Sequence, residues 1–402
     1  MSTSRVATRV RRIKPSPSTS AADRANELRR QGKSIVNLVV GEPDFDTPAH
    51  IRRAAALAMD NGATRYTLMA GTVELRQAIV AKLQRDSGLD YALNEIIATA
   101  GAKSAIYSAF AITLEPGDEV IIPAPYWVSY PDMTLACDGK PVIVACPEES
   151  GFKLTASQLE AAITPRTRWL LINSPRNPTG AAYTLVEYRA LADVLIRHPH
   201  VMVMTDDIYE HIRFDGRRTV HFLEAAPELR DCTLVINSLS KTYAMTGWRI
   251  GYVAGPRDLV QALDTLLSQS AGNCCSISQA AAVAALSGDQ GFVEESVAIY
   301  KQRRDATLAR INAIPGLSCR VPDGAFYLYV GCAGLIGKRT SDGRVLERDS
   351  DVVMYLLDSV GVAVVAGTAY GLSPYFRLSI ATSIEILEEG CKRIARAVAE
   401  LH

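Results

Sequence analysis

No stretch of this 402-residue sequence approaches the roughly eighteen consecutive apolar residues that a membrane span requires. Arg5, Arg9, Arg11, Arg12 and Lys14 crowd the start, but no apolar segment follows them, which excludes a secretory signal. An Arg- and Ser-rich start is also a transit-peptide trait, yet Lys14-Pro15-Ser16-Pro17 already reads as structured sequence. The eight cysteines include no C-x-x-C pair, only Cys274 and Cys275 are adjacent, and the six histidines lack ligand spacing. That pattern argues against a disulfide framework or a metal site and fits a reducing cytosol, so the expectation is a cytoplasmic protein without metal. Lys plus Arg equals Asp plus Glu at 43 each, so no overall field favours nucleic acid or an anionic membrane. Neither G-x-G-x-x-G nor G-x-x-x-x-G-K-[ST] occurs; Gly101-Ala102-Lys103-Ser104 is similar to the tail of the second but lacks its first glycine.

What the sequence does have is ordinary globular composition, 48% hydrophobic and 21% charged, over a length that suits two domains. Apolar runs at Ile96–Thr99, Glu119–Ile122, Trp169–Ile172, Val201–Met204 and Leu234–Ile236 alternate with helical patterns such as Leu154–Ile163 and Leu185–Arg197. Continuous apolar strands separated by helices predict an α/β fold with a mostly parallel sheet covered on both faces. Ligands of such sheets bind beyond the carboxyl ends of the strands. Polar clusters follow the runs as that rule requires: Gly101 to Lys103, Asn173 to Gly180, Asp206-Asp207, and Ser238 to Lys241. Beyond about residue 295 the texture changes to a long helical pattern (Val293–Ile311) and strands at Cys319–Val321, Ala325–Val330, Val362–Val365 and Phe376–Ile380. This predicts an N-terminal arm and part of a small domain over 1–50, a large domain over 51–295, and a smaller α+β domain over 296–402.

Ser238 to Arg249 is the most informative segment. Two serines and Lys241 end an apolar strand, with Arg249 eight residues on, an arrangement that places an amine near an anion. Alone, Lys241 reads more readily as an ordinary surface lysine after a core strand. Other segments decide between these readings: Gly41-Glu42-Pro43-Asp44-Phe45, Arg65-Tyr66-Thr67, Pro125 to Tyr130, Asn173-Ser174-Pro175-Arg176-Asn177-Pro178-Thr179-Gly180, Asp206-Asp207-Ile208-Tyr209-Glu210 and Tyr375-Phe376-Arg377-Leu378-Ser379. In this order they resemble the class I aminotransferases of pyridoxal phosphate (PLP) fold type I, closest to the bacterial aspartate aminotransferase branch, from about Lys14 to Thr382.

The resemblance implies PLP as cofactor and assigns roles residue by residue. Lys241 would form the Schiff base and then move the proton between substrate and cofactor. Asp206 would pair with the pyridine nitrogen, though a helix cap is its plain alternative. Tyr209 and Asn177 would bond the phenolic oxygen. Ser238, Ser240, Arg249 and the amides of Gly101, Ala102 and Lys103 would hold the phosphate, and Trp127 would stack on the ring. Tyr66 would reach the phosphate of a neighbouring subunit, implying a homodimer with shared sites. Arg377 would grip the substrate α-carboxylate through its planar fork, with Gly41 and Trp127 beside it.

For substrate choice, Ser268 to Asn273 contains no arginine of the kind some aspartate aminotransferases use for the distal group. Lys103, with help from Lys14 and Ser18, would take that role. The expected reaction is ping-pong transfer from L-aspartate or another dicarboxylic amino acid to 2-oxoglutarate. A prephenate or aromatic aminotransferase and a C–S lyase on the same fold remain alternatives. A PLP-sensing regulator fits less well, because only about a dozen residues precede the matched region.

Overall fold

The structure, a computed structural model, describes residues 5–402 apart from the side chains of Ser18 and Thr19. Among the described residues, β1 (Ile96–Thr99), β2 (Glu119–Ala124), β3 (Lys140–Ala145), β4 (Thr167–Asn173), β5 (Met202–Asp206), β6 (Thr233–Ser238) and β7 (Gly251–Ala254) form one sheet ordered β1-β7-β6-β5-β4-β2-β3. β7 runs antiparallel to both its neighbours, and the pairs from β6 to β3 are all parallel. Every residue of β1, β2, β6 and β7 is buried, as helices on both faces of a parallel sheet require. Successive side chains alternate between faces: Leu170, Val203 and Val235 enter one apolar cluster, while Leu171, Met204 and Ile236 enter the other.

The five expected apolar runs of this region are all strands. β3 and β7 went unread for different reasons. β3 is an edge strand with exposed and half-buried positions mixed along it, so it lacks the apolar run of its neighbours. β7 is four residues long and starts with glycine.

A second core gathers around an antiparallel sheet of β8 (Tyr327–Gly331), β9 (Val365–Ala366) and β10 (Tyr375–Ser379), ordered β9-β10-β8, with helices Gly291–Asn312, Asp349–Val360 and Ile384–Ala399 packed on it. Two expectations fail here. Cys319-Arg320-Val321 is not a strand; the Asn312 side chain occupies the Cys319 backbone, accepting from its N–H at 2.7 Å and donating to its carbonyl at 3.0 Å. The run Val362–Val365 is not one strand but two. Val362–Ala363 pairs in parallel with Val36–Asn37, and Val365–Ala366 joins β10. Val36 and Leu38 thereby enter the second core, and the Ser379 N–H donates to the Leu38 carbonyl at 2.9 Å. None of the described helices is long and apolar enough to cross a membrane.

The turn Pro322–Ala325 joins the second core to the parallel sheet. Gly324 N–H donates to the Gly180 carbonyl (2.9 Å), Ala325 N–H to Ile212 (2.9 Å), and Asp323 accepts from the Ala182 N–H through Oδ2 (2.9 Å). Gly180 has φ +69°, and a Cβ there would lie 2.4 Å from the Gly324 oxygen. Gly180→Ala is therefore expected to lose about 2 kcal/mol or more from left-handed strain and this contact, read by thermal or urea unfolding. An unchanged midpoint would show that the turn can move aside.

Candidate active site

Three adjacent parallel strands end in polar side chains: β4 in Asn173, β5 in Asp206 and β6 in Ser238. Asn173 sits opposite Asp206 in the ladder and donates to its backbone carbonyl at 2.7 Å. Beyond these ends lies a cavity of about 280 Å³ between the two cores. Its wall includes Gly41, Ala102, Lys103, Trp127, Asn177, Asp206, Tyr209, Ser240, Lys241, Arg249 and Arg377 from the sequence reading.

Asp206 is 4% exposed. Its Oδ2 accepts from the Tyr130 hydroxyl at 2.6 Å, while the buried Oδ1 has no hydrogen-bond partner among the described residues. Burial pushes its carboxyl up to about 6, helped by Asp207 and opposed by the Tyr130 hydrogen bond, the Ile208 backbone N–H and Lys241. Lys241 stands on the short helix Leu239–Thr242 and donates to the Gly41 carbonyl. Desolvation, with Arg377 and Arg249 nearby, brings its amine down to about 8 although Glu42 and Asp206 act the other way. Tyr209 is buried and shares a 2.9 Å hydrogen bond with Tyr327, and burial drives its hydroxyl pKa upward.

Arg377 enters from β10 and is 3% exposed. Its fork donates to Asn177 Oδ1 (3.0 Å) and the Val39 carbonyl (2.6 Å), its Nε has no partner, and its plane lies 4.4 Å over the Tyr327 ring. The wall carries four cations, Lys103, Lys241, Arg249 and Arg377, against the single carboxylate Asp206. None of the four makes an ion pair among the described residues. A buried guanidinium satisfied only by neutral acceptors is costly, and a carboxylate ligand would relieve it.

One end of the cavity is built for an anion. Helix Ala102–Thr113 begins there, and Gly101 before it has φ +89°; a Cβ on it would meet the Arg249 guanidinium at 2.7 Å. The helix start, Arg249 and Ser240 are the donors a phosphate requires. The orphan Asp206 Oδ1 lacks a donor of the kind a ring N–H provides. These residues fit PLP.

Other expected residues stand apart from the wall. Ser238 is buried behind it, bonded to the Ser240 hydroxyl (2.8 Å) and the Ile250 carbonyl (2.9 Å). Gly101 supports the wall through Arg249. Lys14 is exposed, and its backbone N–H bonds Asp132 (3.1 Å). Tyr66 is 97% exposed. The Ser18 side chain lies outside the described residues. Lys103 reaches Trp127, its ammonium 4.9 Å from the ring centroid; partial desolvation of the ammonium against the wall and the charge of Arg249 lower its pKa, although the residue as a whole is exposed.

The cavity also uses residues the sequence reading left without a role: Ser16, Tyr130, Asn173, Ile208 and Tyr327. Tyr130 ends the Pro125 to Tyr130 segment and Asn173 opens the Asn-Ser-Pro segment, so both were within reach. Tyr327 had no signal, being an apolar-run residue whose hydroxyl only the fold brings to Tyr209.

Comparison with known proteins identifies the family. The family model for aminotransferase class I and II matches residues 33–394. The aspartate aminotransferase of Rhizobium meliloti (strain 1021) is 52% identical over 98% of this chain and 96% of that protein. The aspartate/prephenate aminotransferase of Cereibacter sphaeroides is 50% identical over 97% of this chain and 98% of that one. Among solved structures, a Rhizobium meliloti aspartate aminotransferase superposes with a TM-score of 0.97 at 51% identity, covering both chains fully. The Thermus thermophilus aspartate aminotransferase with maleate superposes with 0.92 at 39% identity, over 98% of this chain and 100% of that one. With the family model spanning most of the sequence and relatives matched end to end, this chain belongs to the class I and II aminotransferases.

Proposed function

We propose that this aminotransferase uses PLP to move the amino group of L-aspartate, or another dicarboxylic amino acid, to 2-oxoglutarate. The carrying observation is that Lys241 and Arg377 face one cavity, an amine brought toward neutrality beside a buried guanidinium without a carboxylate. Bound PLP supplies an aldehyde that condenses with amines and a ring that spreads the electrons left when the substrate Cα loses its proton. Ser240, Arg249 and the first amides of helix Ala102–Thr113 would hold its phosphate. Asp206, steadied by Tyr130, would pair with its ring nitrogen, and Trp127 and Ile208 would supply apolar walls. Arg377, held by Asn177 and Val39, receives the α-carboxylate and so fixes which face of the substrate meets Lys241. Lys241 takes and returns the proton at the substrate Cα.

Lys103 would meet the distal carboxylate. It is exposed at the cavity wall and has no anionic partner, and the maleate named with the Thermus relative is itself a dicarboxylate. Prephenate is a second acceptor to assay, since a half-identical relative is named for it. Tyr66, bare in the single chain, would serve the site of a second copy, making the enzyme a homodimer.

The purified protein should show a visible imine band that bleaches with L-aspartate and returns with 2-oxoglutarate. Lys241→Ala should abolish this cycle with the circular-dichroism spectrum unchanged; persistent turnover would remove Lys241 from the chemistry. With the amine near 8 rather than its ordinary value of 10.5, imine formation by the PLP-free protein should rise as pH passes through about 8 and level above it. A rise near the ordinary lysine value would contradict the desolvation argument. Lys103→Ala should raise KM for aspartate about tenfold, the scale of one charge-assisted hydrogen bond, with little change for aromatic donors. Equal losses for both classes would sink the distal-carboxylate role.

A further inference from the structure

Behind helix Leu239–Thr242, on the side away from the cavity, lies a buried polar network that the proposed mechanism does not use. Lys82, on helix Val73–Ser87, is 2% exposed. Its ammonium donates to Glu210 Oε1 and lies 3.6 Å from Asp86 Oδ2. The same Glu210 oxygen accepts from the Asn237 amide. Asn237 in turn accepts the Ser238 N–H on Oδ1 at 2.7 Å. Ser238 caps helix Leu239–Thr242 through the Ser240 N–H and shares its hydroxyl with that of Ser240, which lines the cavity. Burial alone would push the Glu210 carboxyl up, yet Lys82 beside it holds the group below its usual range.

Position 209 faces the cavity and position 210 faces this network, so one segment serves both sides. An asparagine amide can turn end for end at little steric cost. Here the orientation is set by its surroundings: Glu210, an acceptor only, must face the NH₂, leaving the carbonyl for the Ser238 N–H. Without that acceptor the amide keeps only one of its two anchors, the Ser238 N–H, and its NH₂ is left buried and unpaired, which loosens the hold on Ser238. A charge pair this deep contributes little net stability relative to an apolar replacement, so the acceptor itself is the feature to explain.

We propose that Glu210 is a positioning residue for the anion end of the cavity, acting through Asn237 on Ser238 and Ser240, with Lys82 as its buried counter-charge. The inference rests on the PLP reading, and its consequence concerns the phosphate in particular. Two double variants separate the relay from the charge pair. Lys82→Met with Glu210→Gln removes both charges but keeps an acceptor oxygen for Asn237. Lys82→Met with Glu210→Leu removes the acceptor as well, without leaving an unpaired buried charge.

The PLP-free proteins are titrated with PLP and with pyridoxal, which lacks the phosphate, and the imine absorbance gives each dissociation constant. The expected result is that the Leu form binds PLP about tenfold more weakly, the scale of one hydrogen bond to a charged group. Its pyridoxal affinity should shift less than about threefold, and the Gln form should stay near the unaltered protein for both. If the Leu form keeps the original ratio of PLP to pyridoxal affinity, or both forms lose it equally, the relay is overturned. Should the Leu form fail to fold, Asn237→Leu, which breaks the relay and leaves the ion pair, carries the same expectation and the same refutation. An unaltered protein that forms no imine with PLP would instead refute the cofactor reading, which keeps the two failures distinct.

Discussion

Asp206 is the constraint around which the site is arranged. A carboxylate at the end of a buried strand needs donors for both oxygens, and among the described residues Tyr130 serves Oδ2 while Oδ1 is left without a close donor. Holding that half-satisfied group requires rigid surroundings: Asn173 ties down the Asp206 backbone from the next strand, and Asn173 Oδ1 also takes the Asn177 N–H at 2.9 Å. Asn177 then orients Arg377. The acid end and the carboxylate-binding end of the cavity are thus linked by three consecutive side-chain hydrogen bonds across three strands and a loop.

The assembly draws on both cores. Lys241, Asp206 and Arg249 belong to the parallel sheet and its loops, whereas Arg377 and Tyr327 come from the antiparallel one. The segment around Gly41 closes the arrangement, because Val39 bonds Arg377 and Gly41 bonds Lys241. The loop is anchored further on, where Arg303 grips Asp44 with a bidentate pair at 2.8 Å. A short run near the N-terminus thereby touches the reactive amine, the carboxylate-binding arginine and a helix of the second core.

The sheet was legible because its strands are buried on both faces and read as unbroken apolar runs. β3 hides because an edge strand has a solvent side, and Val362–Val365 misleads because one apolar run feeds two separate pairings. In the site, residues at strand ends announced themselves as polar clusters after apolar runs. Tyr327 did not, since its hydroxyl matters only through long-range packing against Tyr209. Lys82 and Glu210 were illegible for a related reason. Lysine and glutamate on helix or loop positions read as solvated surface, and only the tertiary fold reveals that they are buried together.

The chain has no net charge, yet its cavity wall holds four cations and one carboxylate. The molecule as a whole exerts little long-range pull, but the cleft forms a local well of positive potential. Dianionic metabolites are drawn in over the last several ångströms, within the roughly 8 Å over which salt at physiological strength leaves fields intact. The same well accepts any small anion. Inorganic phosphate and other oxyanions are therefore expected to compete for one neutral protein's small charged interior.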